Sequence, residues 1–222
     1  MIDKFVSTTQ EALGNIADGA TVFLGGFGGA GQPNALIEAL IEQGARELTL
    51  VSNNAGNGDK GMAALLKAGR VRRMICSFPR SADSYVFDEL YRAGKIELEL
   101  VPQGTLAERI RAAGAGVGGF YTPTGVGTPL ADGKETRELG GRMHVFEAPL
   151  SADIALIAAE GGDRWGNLIY RKTARNFGPV MATAARRTVA SVHRRLELGA
   201  IDPETVVTPG IYVTAVVMVP PD

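Results

Sequence analysis

In the first half of the chain, short apolar runs alternate with helix-like stretches of about ten residues, and this alternation restricts the fold more than any other feature. The runs cover residues 21–24, 48–52, 71–77 and 96–101, and the helix-like stretches follow at 33–43, 61–68, 84–93 and 105–114. Strands joined through helices are parallel neighbours rather than hairpins, so the pattern implies βαβ units. The expected fold is α/β, an open, mainly parallel, doubly wound sheet. Right-handed crossovers place the C-terminal ends of all its strands on one edge, and open sheets bind ligands there. The run Gly25 to Gly31, Asn53-Asn54, Ser77-Phe78-Pro79-Arg80 and Pro102-Gln103-Gly104-Thr105 all fall at that edge.

Residues 114–134 change to Gly, Pro and Thr but keep apolar and aromatic side chains, which reads as a long irregular loop of functional type. A hairpin is expected next, 138–139 against 143–147 across Gly140-Gly141, and then a strand over 153–160. Residues 161–167 read as a turn into 168–170, a helix covers 179–185, and strands follow at 188–192 and 210–219.

At 222 residues, with 45% hydrophobic and 21% charged residues, the chain has the make-up of one globular domain over 1–222. A net charge of −1 argues against a nucleic-acid surface. No apolar stretch reaches the roughly 18–20 residues that span a bilayer, and no signal-peptide pattern opens the chain, so a cytoplasmic location without membrane contact is expected. The lone cysteine, Cys76, has no internal disulfide partner and reads as a buried structural thiol.

The edge feature richest in chemistry is Gly25-Gly26-Phe27-Gly28-Gly29-Ala30-Gly31, between a strand and a helix. Unpaired N–H groups and a helix dipole converge at such a corner and favour an anion. Gly26, Gly28 and Gly31 also match a dinucleotide fingerprint. That reading needs an acidic residue about 20 positions on, at the next strand end, and residues 48–52 run into Asn53-Asn54 instead. A tight turn without ligand remains the plain alternative. Elsewhere, His144 and His193 read as strand or surface histidines without metal spacing. Glu160 reads as a turn-supporting or surface group, and Glu108, Arg109 and Arg111 as a solvated face or ion pair. No obvious nucleophile stands out.

Several segments together carry a resemblance. Asp18-Gly19, followed by Gly25-Gly26-Phe27, Gly31 and Pro33, is similar to the signature of the family I CoA-transferases, in the A (alpha) polypeptide of the pair. The likeness continues through Ser52-Asn53-Asn54-Ala55-Gly56, residues 102–111, Tyr121-Thr122-Pro123-Thr124-Gly125, Asp163-Arg164 with Gly166-Asn167, and Arg171-Lys172 with Ala174-Arg175-Asn176-Phe177. It implies the CoA-transferase type of open sheet over the whole chain. Ser77 to Arg80 and Asp83 to Lys95 are most similar to A subunits that serve 3-oxoadipate. The implied reaction moves CoA from succinyl-CoA to 3-oxoadipate. Acetoacetate or another short 3-oxoacid is the alternative acceptor, and an oxidoreductase module or a polypeptide that only presents CoA are the alternatives in other classes.

In this family the attacking glutamate lies in a Ser-Glu-Asn-Gly motif of a B subunit, and this chain has no such motif. The resemblance therefore implies no catalytic nucleophile here, activity only with the B subunit, commonly as an A2B2 heterotetramer, and no cofactor, since the CoA thioester is a substrate. Gly25, Gly26, Phe27, Gly28, Gly29, Ala30 and Gly31 are expected to line the thioester and supply oxyanion contacts, with Gln103 and Asn54 near the substrate. Arg80, always cationic and at a strand end, is expected either to pair with the distal carboxylate of a dicarboxylate or to serve as a plain surface charge. Val126 departs from a tyrosine common among relatives and would alter the pocket wall.

Overall fold

The computed structural model describes residues 2–220. It opens with β1 (Phe5–Val6) and α1 (Thr9–Leu13), then alternates β2 (Thr21–Leu24), α2 (Asn34–Gln43), β3 (Leu48–Val51), α3 (Met62–Lys67), β4 (Val71–Cys76), α4 (Tyr85–Arg92), β5 (Glu97–Leu100) and α5 (Gln103–Gly114). Next come β6 (Phe120–Thr122), β7 (Thr136–Leu139), β8 (Arg142–Glu147), β9 (Ala152–Asp163), β10 (Leu168–Ile169), α6 (Gly178–Thr183), β11 (Ala185–Leu196) and β12 (Ala215–Met218). Eight strands lie in the order β1-β12-β11-β9-β2-β3-β4-β5, every neighbouring pair parallel, and β10 folds back antiparallel on the end of β9.

Both faces of the sheet centre are covered, which is why β2 and β3 read as continuous apolar runs. Val22, Leu24, Leu50 and Met74 pack with α1 to α4 through Leu13, Leu40, Leu65 and Phe87. Their strand neighbours Phe23, Val51 and Ile75 point the other way, onto Leu106 and Ile110 of α5 and Met181 of α6. Cys76 belongs to the first face, and burial pushes its thiol up to about 12 against the weaker pull of the Phe78 N–H. At neutral pH that sulfur is a packed thiol, not a nucleophile.

The structure corrects several boundaries. β1 and α1 lie outside the expected pattern: the helix is five residues long, too short for a periodic signal, and depends on the Thr8 side chain accepting from the Glu11 N–H. The irregular loop contains β6, which finds its partner in the distant β8 and completes a three-stranded antiparallel sheet, β6-β8-β7. The strand expected over 153–160 continues through Gly161, Gly162 and Asp163, because β11 pairs with it along that length. The turn is only 164–167, stapled by Asp163, whose carboxylate accepts from the Trp165 and Asn167 amides and from Asn167 Nδ2. The last strand shrinks to Ala215–Met218 behind a short 3-10 turn at Gly210–Tyr212.

An ionic cluster ties the small sheet to the large one. Arg109 of α5, its side chain 12% exposed, reaches Glu99 of β5 at 2.8 Å and lies 3.9 Å from Glu147 of β8. Its Nε donates to the Ala148 carbonyl at 2.9 Å, and Lys134 holds Glu147 at 2.6 Å. Arg109 is therefore a buried bridge and not part of a solvated face. Arg111 and Glu108 do pair on the exposed side, 2.8 Å apart.

Candidate active site at the carboxyl edge of the sheet

Strand order reverses at β2. Successive strands run from it toward β5 on one side, and β9, β11 and β12 lie on the other. The glycine run leaves the sheet at this switch point, where neighbouring crossovers diverge and open a crevice. Phe27 and Ala30 exchange backbone hydrogen bonds of 3.0 and 3.1 Å around Gly28 and Gly29. Gly28 has φ +60 and Gly29 is not in the positive region, the pattern of a II′ turn.

This hydrogen bonding narrows which amides can face a ligand. Gly25 N–H donates to the Leu156 carbonyl of β9, Gly26 N–H to Asn176 Oδ1, and Phe27 and Ala30 to each other. The amides of Gly28, Gly29 and Gly31 have no partner among the described residues. α2 starts just beyond, with no acidic side chain in its first turn. α5 also starts at this edge, again without an acidic first turn or a side-chain cap. Two helix dipoles thus present their positive ends at this edge of the sheet.

The glycine turn forms a ridge between two clefts. One, about 320 Å³, is lined by Gly29, Gly31, the start of α2, Glu160, Arg171 and His193. The other, about 340 Å³, lies between Phe27, Gln103, Asn176, Phe177 and Val180, and its polar side chains are the neutral amides of Gln103 and Asn176. Phe27 stands 51% exposed at the tip.

Gln103, expected in a loop, is the first residue of α5. Its Nε2 donates to Asn53 Oδ1 at 2.7 Å, and Ser77 Oγ donates to the same oxygen at 2.7 Å. Buried Asn53 is thus the hub that orients Gln103. Its neighbour Asn54 is also buried but spends its oxygen locally, accepting from the Gly56 N–H in an Asx turn at 3.0 Å. The Asn-Asn pair is visible in sequence, but the division of labour within it depends on Ser77 and Gln103, far along the chain.

Arg80 is exposed and held by Asp88 of α4 through Nε at 3.0 Å and Nη2 at 2.6 Å; it lines neither cleft. Val126 lines neither cleft and sits half-buried in the loop after β6. His144 and His193 lie on β8 and β11. No group of three or more His, Cys, Asp or Glu among the described residues is placed to hold a metal, and no described helix is long and apolar enough to cross a membrane.

An open parallel sheet whose switch point carries amides without partners among the described residues, beside a cleft lined by Gln103, has the donors to accept an anion at this edge. The Coenzyme A transferase family profile matches residues 6–218, and the chain belongs to that family. It is 64% identical over 219 residues to the A subunit of 3-oxoadipate CoA-transferase from Pseudomonas putida, covering 99% of this chain and 95% of the relative. Against the protein of the same name from Acinetobacter baylyi it is 65% identical, covering 99% and 96%. Among solved structures, the acyl-CoA transferase apoenzyme of Escherichia coli O157:H7 superposes with a TM-score of 0.85 at 25% identity over 98% of this chain. This chain spans only 47% of that enzyme's length.

Proposed function

We propose that the chain is the A subunit of a CoA-transferase that moves CoA from succinyl-CoA to 3-oxoadipate, with the nucleophilic carboxylate supplied by a B subunit. The observation that carries this reading is near-full-length identity of 64% and 65% to proteins of that name. The edge geometry fits it. A partner glutamate attacks the thioester carbonyl, the C–S bond breaks and CoA leaves as thiolate, giving an acyl-glutamyl anhydride. The thiolate then attacks the glutamyl carbonyl, releasing succinate and leaving a glutamyl-CoA thioester. The carboxylate of 3-oxoadipate repeats the exchange in reverse and departs as its CoA ester.

Each attack passes through a tetrahedral oxyanion. Fixed N–H donors aimed at such an oxygen contribute about 3–4 kcal/mol each, and the open amides of Gly28, Gly29 and Gly31 are the proposed donors. Gln103 keeps a second amide hydrogen for an acyl oxygen, since Asn53 takes only one. Asn54 acts at one remove, by shaping the turn that follows Asn53. Arg80 remains the proposed cation for the distal carboxylate, which would draw it from Asp88. The partner is proposed to cover this edge in an A2B2 assembly, where Phe27, Phe78 and Tyr85 are exposed.

A second reading rests on Glu160, a carboxylate of this chain that lines the cleft with Gly29 and Gly31. If Glu160 were the nucleophile, Glu160→Gln would abolish turnover. The expected result is that turnover persists in the assembled enzyme, read as succinyl-CoA consumed with 3-oxoadipate, because the proposed nucleophile belongs to the B subunit.

A further inference from the structure

We infer that Asn176 is a positioning residue that holds the glycine turn in its reactive shape, a role that rests on the function proposed above. The two ends of the turn are joined by one side-chain amide from far along the chain. Asn176 Oδ1 accepts from Gly26 N–H at 3.0 Å, and Asn176 Nδ2 donates to the Ala30 carbonyl at 2.9 Å. The same amide donates to the Thr173 carbonyl at 2.7 Å and accepts from Phe177 N–H at 2.7 Å. Two donors and two acceptor sites are all a carboxamide has, and all four are used.

The residues around Asn176 support the same task. The Ala174 backbone packs so closely on Gly31 that a Cβ placed there would lie 2.5 Å from the Ala174 oxygen. Lys172 takes φ +49, which a non-glycine residue rarely adopts, so the segment holds its shape through its contacts rather than local preference. A stretch with glycines at 25, 26, 28, 29 and 31 loses much conformational freedom on ordering, and its own cross-link is the Phe27–Ala30 pair alone. Asn176 adds a second cross-link just outside it. The amides of Gly28, Gly29 and Gly31 then keep one direction without reorganising as charge develops.

The test uses the complex with the carboxylate-bearing partner. Asn176→Ala is expected to lower kcat about 100-fold, the scale of a misplaced reacting geometry, with KM for succinyl-CoA changed by less than about threefold. Hydrogen exchange is expected to speed up at the hydrogen-bonded amides of Gly26, Phe27 and Ala30 and to stay slow in β2 and β9. Asn176→Asp distinguishes positioning from general support: the carboxylate still accepts from Gly26 but repels the Ala30 and Thr173 carbonyls. Protonation restores a donor, so its activity relative to the parent should rise as pH falls. A parent-like kcat for Asn176→Ala, or a relative pH profile for Asn176→Asp that is flat, would overturn the inference. If the parent complex itself fails to transfer CoA, the functional reading fails, and exchange at Gly26, Phe27 and Ala30 alone decides the clamp: faster in Asn176→Ala supports it and unchanged overturns it. Should Asn176→Ala not fold, the Asn176→Asp profile decides.

Discussion

Replacing Gly31 with alanine is expected to lower turnover of the assembled enzyme by at least about 100-fold, since shifting a catalytic geometry by an ångström costs that much. Gly31 sits at φ +72, and its added methyl would meet backbone, the Ala174 oxygen at 2.5 Å, which has no rotamer to escape through. Either the glycine turn or the segment over it must move. The cost in stability is about 2–3 kcal/mol, from the disfavoured φ together with the contact. Gly29→Ala is the internal comparison: nothing lies within 4 Å of its added methyl and its φ is not positive. That variant should match the parent in thermal midpoint or exceed it slightly. Equal destabilisation of the two would show that packing against Ala174 is not what shapes the turn.

Removing the Arg109 side chain is the second large effect, and it acts on stability. Arg109→Ala strips a nearly buried cation from Glu99 and the Ala148 carbonyl and leaves Glu147 to Lys134. Losing one partner of a buried pair costs about 3–5 kcal/mol; because Arg73 still reaches Glu99, about 2–3 kcal/mol is expected here. Arg109→Lys should recover little, because one ammonium cannot reach both the carboxylate and the carbonyl. Burial pushes the Glu99 carboxyl up, but the hydrogen bond and charge of Arg109, followed by Arg73, outweigh it and hold the group below its ordinary 4.5. A lowered folded-state value means that Glu99 contributes its stability in full above 4.5 and loses it as pH falls through the lowered value. Denaturant unfolding should therefore show the gap between parent and Arg109→Ala at neutral pH and a smaller gap in acid. A gap that held constant or widened in acid would exclude Glu99 as the partner that matters.

The repeating half of the fold is readable because each helix there spans at least one full apolar period and the central strands β2 and β3 are buried on both faces. Thr21–Leu24 and Asn34–Gln43 fall within a residue of their expected bounds. What escapes is short or defined by distant pairing. Phe5–Val6 is a strand only because β12 lies beside it. Gly161 and Gly162 look like a turn in sequence yet sit opposite Arg194 and Arg195 in a continuous ladder. α5 starts two residues early, at Gln103, because Pro102 supplies its cap position without contributing a recognisable capping side chain.

The site is legible to the same degree. The density of glycines between Gly25 and Gly31 marks a tight turn between strand and helix, and the strand-end position of Asn53-Asn54 and Gln103 marks the edge. Which amides stay open is not a local property, since Gly25 is satisfied by Leu156 and Gly26 by Asn176, each more than a hundred residues away. The Arg171 to Phe177 segment is recognisable as part of the resemblance, but its task emerges only when Asn176 is seen spanning the turn. Arg80 shows the reverse case, a cation at the right edge whose neighbour Asp88, one helix turn into α4, already engages it.

The most direct measurement is acyl transfer from succinyl-CoA to 3-oxoadipate by the purified chain, alone and after co-expression with the carboxylate-bearing partner, with acetoacetate assayed in parallel. The account predicts no turnover from the chain alone, turnover once the partner is present with 3-oxoadipate preferred, and CoA trapped as a thioester on the partner. Turnover by the chain alone, or CoA trapped on this chain, would contradict it.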